Sequence, residues 1–388
     1  MSNNLNKNEG ARLHPHSKNG YWTVGDKFFF NKIEAHIESQ RSNKHIEFYF
    51  GDNELATVDW TQEPEVDIYE LYRQRALQLR ESYDHIVLLY SGGSDSTAVL
   101  KTFLENNIKL DEVITTGVLN NKVGEKDTTN AELYYQGMSL VSGAELRNTK
   151  FRFYNLWDNF KELDKNLPED WFIERGDTRL CIDNPLKEYM WHRERSMTQQ
   201  VHKGKKVCYI MGFEKPRVFI KDGWFQFGFL DLLLKANQYT SNYNAKTFNG
   251  IYTEFFFTAI DFPDIMRKQV HMIADYYVKH FPATVQDKLV HTAKFDKDDY
   301  YNTINDIIYG RYWKQEGSFT VGKAKGDLFG PKWMFMKDFK DTNYYKTWSH
   351  GVKTVRSTLN PDAFTDLGDL GGHWGKMYKF RKHDDTLC

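Results

Sequence analysis

Cysteine is scarce, with three in 388 residues (Cys181, Cys208 and Cys388), widely spaced and without a CxxC pair. A disulfide framework is excluded, and a reducing, cytoplasmic setting fits. Long apolar runs are also missing: stretches such as Ile86 to Tyr90 fall far short of a membrane span, so no membrane partner is expected. Met1 to Gly20 is polar and holds no apolar h-region, which argues against export. An excess of one charge is lacking as well. With 52 basic and 53 acidic residues, nothing global draws the chain to nucleic acid, and any polyanion site must be a local patch. What is present, 40% hydrophobic and 27% charged residues, belongs to a globular protein. The length allows two or three domains.

Residues 1–20 read as a flexible tail. Residues 21–65 form a small strand-containing segment, in which Ile46 to Phe50 alternates and Gly51-Asp52-Asn53 gives a turn signal. From Val66 to Tyr83, Ile68, Leu71, Tyr72, Ala76, Leu79 and Tyr83 recur at spacings of three and four, the pattern of one helix face. Ile86 to Tyr90 then reads as a strand buried on both faces, and a helix carrying Val99, Leu100, Phe103 and Leu104 follows the turn Ser91-Gly92-Gly93-Ser94-Asp95-Ser96. Further strands are expected at Val113–Leu119, Phe151–Leu156 and Val207–Gly212, and helices at Ala131–Val141 and Pro185–His202. This alternation predicts an α/β domain over 66–220 with a doubly wound, mainly parallel sheet and a site beyond the carboxyl ends of its strands. Residues 221–388, aromatic-rich and irregular, read as a separate, mixed or mainly helical C-terminal domain.

The turn after Tyr90 suits a phosphate. Gly92 and Gly93 let an anion approach the backbone, and the next helix points unsatisfied N–H groups at it. Ser91, Ser94, Ser96 and Thr97 offer hydroxyl donors, while Asp95 suits Mg²⁺ better than phosphate. A Walker A loop is excluded, because no lysine follows the glycines and the spacing is wrong. A serine-rich turn with an aspartate placed for the helix dipole would carry the same residues.

An apolar strand, SGGSDS and a helix together resemble the signature of the PP-loop superfamily of ATP pyrophosphatases, with a match over roughly Val66 to Ile220. The resemblance implies Mg-ATP bound at Ser91 to Thr97, transfer of AMP to an acceptor oxygen and release of pyrophosphate. It also implies that main-chain groups near Thr116, Gly117 and Val118 receive adenine or ribose. The superfamily includes synthetases acting on small molecules, tRNA-modifying enzymes and sulfonucleotide reductases. The acceptor, small molecule or nucleic acid, is therefore open, and so is the oligomeric state. Arg179-Leu180-Cys181 followed by Pro185-Leu186-Lys187 is loosely similar to reductase-like members. The ending Asp384-Asp385-Thr386-Leu387-Cys388 lacks their Glu-Cys-Gly context and counts against reduction. A module that binds a nucleotide without turnover is the non-catalytic alternative.

Outside the loop the readings divide. Lys187, in a predicted first helical turn, is either a ligand of the α-phosphate or a solvated lysine. Gly212 with Glu214, Lys215 and Arg217 is either a set of substrate, metal and pyrophosphate contacts or a surface turn after a strand. Trp374 to Lys382 interleaves cations with rings, which suits either a phosphodiester or a packed tail. The histidines form no HExxH pattern, and His14 and His16 lie in the tail, so no metal site is expected from them. No cysteine stands at position 2 or in an elbow with small neighbours, which predicts that the chain cannot draw ammonia from glutamine by itself.

Overall fold

The computed structural model describes residues 20–117, 133, 137–142, 146, 148–155, 164–165, 167, 194, 197–198, 200–212, 215–231, 250–280, 297–313, 340–365 and 370–383. Its centre is a five-stranded, all-parallel sheet built from β4 (His85–Leu89), β5 (Glu112–Gly117), β6 (Lys150–Asn155), β7 (Val207–Met211) and β10 (Ile251–Phe255). The strand order is β10-β7-β4-β5-β6. The chain runs outward from β4 through β5 to β6, then returns to the other side of β4 for β7 and β10. The direction of winding therefore reverses between β4 and β7, the place where open α/β sheets form a ligand crevice.

Period-two alternation explains why β4 reads as a continuous apolar run. Ile86 and Leu88 enter one buried cluster with Cys208 and Ile210, and Val87 enters a second cluster with Ile114, Val207 and Tyr209. On the first face lie α2 (Ile68–Ser82), α3 (Ser94–Glu105), α4 (Asp264–His280) and α5 (Lys297–Tyr309), which bury Leu71, Tyr72, Leu79, Val99, Phe103, Ile273 and Ile308. On the second face α6 (Asn343–Thr358) brings Tyr344, Val352 and Val355. Helices flank both faces, and the arrangement is compatible with a Rossmann-like fold. The Asp67 side chain caps α2 by accepting from the Tyr69 N–H at 2.8 Å.

The residues beyond 221, expected as a separate unit, contribute β10 to the edge of this sheet and α4, α5 and α6 to its two faces. Buried Arg75 of α2 secures that edge: its guanidinium lies 3.2 Å from Glu254 and donates to the Phe255 carbonyl at 2.9 Å. The segment 21–65 forms an antiparallel sheet ordered β2 (Lys27–Phe29), β1 (Tyr21–Val24), β3 (Ile46–Tyr49), with α1 (Lys32–Ser42) against it. Asp231 anchors this unit, accepting from Trp22 Nε1 at 2.9 Å and pairing with buried Lys32 at 2.7 Å.

A third, antiparallel sheet runs β11 (Tyr378–Lys382), β9 (Trp224–Gly228), β8 (Arg217–Lys221). Here the C-terminal cation and ring pattern becomes a strand. Tyr378 and Phe380 are buried, while Lys379 and Lys382 lie 5.6 and 5.8 Å from the Trp224 ring centre. No helix among the described residues is long and apolar enough to cross a membrane.

Candidate functional site

The loop leaves β4 at its carboxyl end, beside the winding reversal. Tyr90 is held to the neighbouring strand by its N–H, which donates to the Ile114 carbonyl at 2.8 Å. Gly92 follows with φ +82°, a left-handed conformation that glycine adopts without steric cost. Gly93 is the N-cap of α3 and offers no capping side chain, so the first-turn N–H groups of this twelve-residue helix face the loop without a side-chain cap.

The hydroxyls divide between the loop and its opening. Ser96 Oγ accepts from the Ser91 N–H at 3.2 Å, donates to the Gly93 carbonyl at 3.2 Å and lies 3.1 Å from Ser91 Oγ. Ser91 Oγ also accepts from the Gly93 N–H at 3.2 Å. Both hydroxyls, expected to reach a phosphate, thus hold the turn in shape. Thr97 is buried and its hydroxyl meets the Tyr90 hydroxyl at 3.2 Å. Burial pushes Tyr90 up to about 12, so at neutral pH it remains a protonated phenol beneath the loop. Ser94 is half-buried at the start of α3.

Asp95, in the first turn of α3, lies with Oδ1 2.6 Å from Lys215 Nζ. Oδ1 is buried and, beyond this ion pair, has no hydrogen-bond partner among the described residues. A single hard carboxylate oxygen is the kind of ligand Mg²⁺ takes, with one or two carboxylates and a shell completed by phosphate and water. Lys215 Nζ also stands 5.4 Å from the centre of the Tyr309 ring on α5. The cation is therefore fixed at the crevice by a carboxylate and a ring.

Gly212, the residue after β7, has a packing role. A Cβ there would come within 2.8 Å of the Asp95 carbonyl oxygen and 3.0 Å of Val99 Cγ2. Only glycine lets β7 end directly against the first turn of α3. Gly137 makes a similar approach, since a Cβ on it would sit 2.8 Å from Gly92 Cα.

The structure thus brings Ser91 to Thr97, Gly212 and Lys215 together. Thr116 and Gly117 end β5, one strand over, paired with Tyr154 and Asn155 of β6. Arg217 departs from the group: it begins β8 opposite Gly228, and its guanidinium carbon lies 5.9 Å from the Trp374 ring centre. Val118, Lys187 and Glu214 lie outside the described residues. Sequence reading missed Tyr90, Gly137 and Tyr309. The first looked like the end of an apolar strand, and the other two carry no motif and reach the loop only through the fold.

No protein-family model matches the chain, and no curated protein matches it.

Proposed function

We propose that the chain is an ATP-dependent enzyme of the ATP pyrophosphatase kind, which transfers AMP to an acceptor oxygen and releases pyrophosphate. The observation that carries this reading is the loop itself. A left-handed Gly92 and an uncapped helix start stand at the carboxyl end of the central strand, at the winding reversal, with an aspartate and a lysine across the opening.

In this reading the N–H groups of Ser94 to Ser96 donate to phosphate oxygens, and Asp95 would hold Mg²⁺, which would supply charge neutralisation at the phosphates. Lys215 exchanges its carboxylate partner for phosphate oxygens and stabilises the charge that develops on departing pyrophosphate. The backbone at Thr116 and Gly117 borders adenine or ribose. The acceptor is a small molecule or a nucleic acid, and its nucleophilic partner is free ammonia, an amine, a sulfur donor or part of the acceptor itself.

ATP labelled separately at the α and γ positions, incubated with candidate metabolites and RNA, tests the reading. AMP with pyrophosphate is the expected pair, and ADP with phosphate contradicts it. Tight ATP binding without either product across the acceptor set favours the non-catalytic module.

A further inference from the structure

Three side chains far apart in sequence meet at the amino end of the parallel sheet, opposite the loop. His85 opens β4, Glu112 opens β5, and His202 lies in the turn that precedes β7, the other neighbour of β4. One ligand atom from each lies within 4.8 Å of the other two. We propose that His85, Glu112 and His202 form a binding site for a divalent transition metal, with Zn²⁺ the best chemical fit.

The donor set is two imidazole nitrogens and one carboxylate oxygen, borderline and hard donors that suit Zn²⁺. Zn²⁺ bonds of about 2.0–2.2 Å place neighbouring tetrahedral ligands roughly 3.4 Å apart. His85 Nε2 and Glu112 Oε1 are already 3.1 Å apart. The His202 ring faces His85 with centroids 4.1 Å apart and planes tilted by 32°, so sharing one ion requires that ring to turn toward Glu112. His202 is only half-buried, and its ring nitrogens have no hydrogen-bond partner among the described residues. Gly204, two residues on, is exposed with open space around it.

Outer contacts hold the ligands in place, as metal sites require. Arg152 Nε lies 2.5 Å from Glu112 Oε2, leaving Oε1 turned to the histidines, and buried Glu194 anchors that arginine at 2.9 Å. His85 Nδ1 faces Asp111 Oδ1 at 4.0 Å. Asp111 is itself fixed by Arg80 at 2.6 Å, Lys109 at 2.8 Å and the Ile86 N–H at 2.8 Å. Arg80, Lys109 and Arg152 are thus engaged with carboxylates, while Lys150 and Lys205 lie close enough to act on Glu112 and His202, and an ion would take the place of the hydrogen bond between His85 Nε2 and Glu112 Oε1. With three protein ligands, the fourth position falls to water. β4 spans five residues, so at about 3.3 Å per residue the site lies roughly 17 Å from the nucleotide loop. It acts as a clamp joining the starts of adjacent strands, and it does not depend on the nucleotide reading.

Calorimetric titration of chelator-treated, full-length protein with Zn²⁺ tests the proposal, with Co²⁺ absorption reporting the ligand geometry. The expected result is one equivalent bound per chain, a raised Tm and Co²⁺ bands of a four-coordinate N/O site. His202→Ala, on a half-exposed turn, should retain the far-UV circular dichroism of the wild type. It should also weaken binding by more than the 10–100-fold typical of losing an outer contact. Should His85→Ala fail to fold, Glu112→Gln supplies the second ligand test. Absence of uptake by the wild-type chain overturns the proposal. So does stoichiometric uptake that persists in His202→Ala, or that disappears on replacing His14 and His16 instead.

Discussion

A single missing carbon atom at Gly212 sets how closely β7 approaches α3. Because the nearest obstacle to a Cβ is the Asp95 backbone carbonyl at 2.8 Å, no rotamer relieves the clash. Gly212→Ala should cost about 1–3 kcal/mol, as overpacking does, and displace the first turn of α3. ATP affinity should therefore fall more than chemical denaturation alone would suggest, and wild-type affinity in a folded variant would contradict the packing argument. Two cations near the site separate by their partners. Lys215 faces Asp95 across the opening, whereas Arg217 stacks over Trp374. Lys215→Met should lower the rate of pyrophosphate release by about 10²–10³, the usual effect of losing one preorganised charge stabiliser. Arg217→Met should stay within about threefold. Equal losses in both variants would place Arg217 at the phosphates as well.

At the scale of elements, local pattern decided what could be read. α2 was legible from the three-and-four spacing of Ile68, Leu71, Tyr72, Ala76 and Leu79, all buried, and β4 from its apolar run. β10 was not, because Ile251 to Phe255 lies within an aromatic-rich stretch, and its place beside β7 depends on pairing across about 40 residues of chain. The same limit hid the contact between α1 and the segment before β11, where His36 Nε2 and His373 Nε2 approach to 3.4 Å. Burial, then the charge of His373 and that of Lys32, lower His36 to about 3. Burial and Lys32, opposed by Asp231, lower His373 to about 4. Both rings are neutral in the folded chain at pH 7, while an unfolded histidine takes a proton below about 6.5. Between that value and about 4 the unfolded state binds more protons, so stability is fully present above pH 6.5 and is lost as pH falls. The loss should reach at most about 1.4 kcal/mol per pH unit for each histidine. Urea midpoints measured from pH 7 to 5 should fall in the wild type and flatten in a His36→Gln, His373→Gln double variant. An unchanged slope in that variant would assign the acid sensitivity elsewhere.

For the whole molecule, one parallel sheet gathers strands from residues 85 to 255, and its winding reversal selects which loops meet. SGGSDS could be read as a strand-to-helix turn from local residues, while Lys215 and Tyr309 come together beside it only in the folded chain. It also bears on where a nucleophile comes from. A glutamine-hydrolysing site needs an accessible cysteine thiolate with a partner base. Cys208 cannot serve: it is fully buried in β7, between β4 and β10, with its side chain in the main apolar cluster. Reaching its sulfur would require opening the centre of the sheet. Cys181 and Cys388 lie outside the described residues, and Cys181 is followed by Ile182-Asp183-Asn184 rather than the small residues of a nucleophile elbow. The purified protein should therefore release no glutamate from glutamine, with or without ATP; on the proposed function, ammonia or an amine would have to be supplied directly. Glutamate release that disappears in Cys181→Ala or Cys388→Ala would identify that cysteine as a nucleophile. Release that survives replacement of all three would require a site built on another residue, and either result would overturn the expectation that the attacking group arrives from outside the chain.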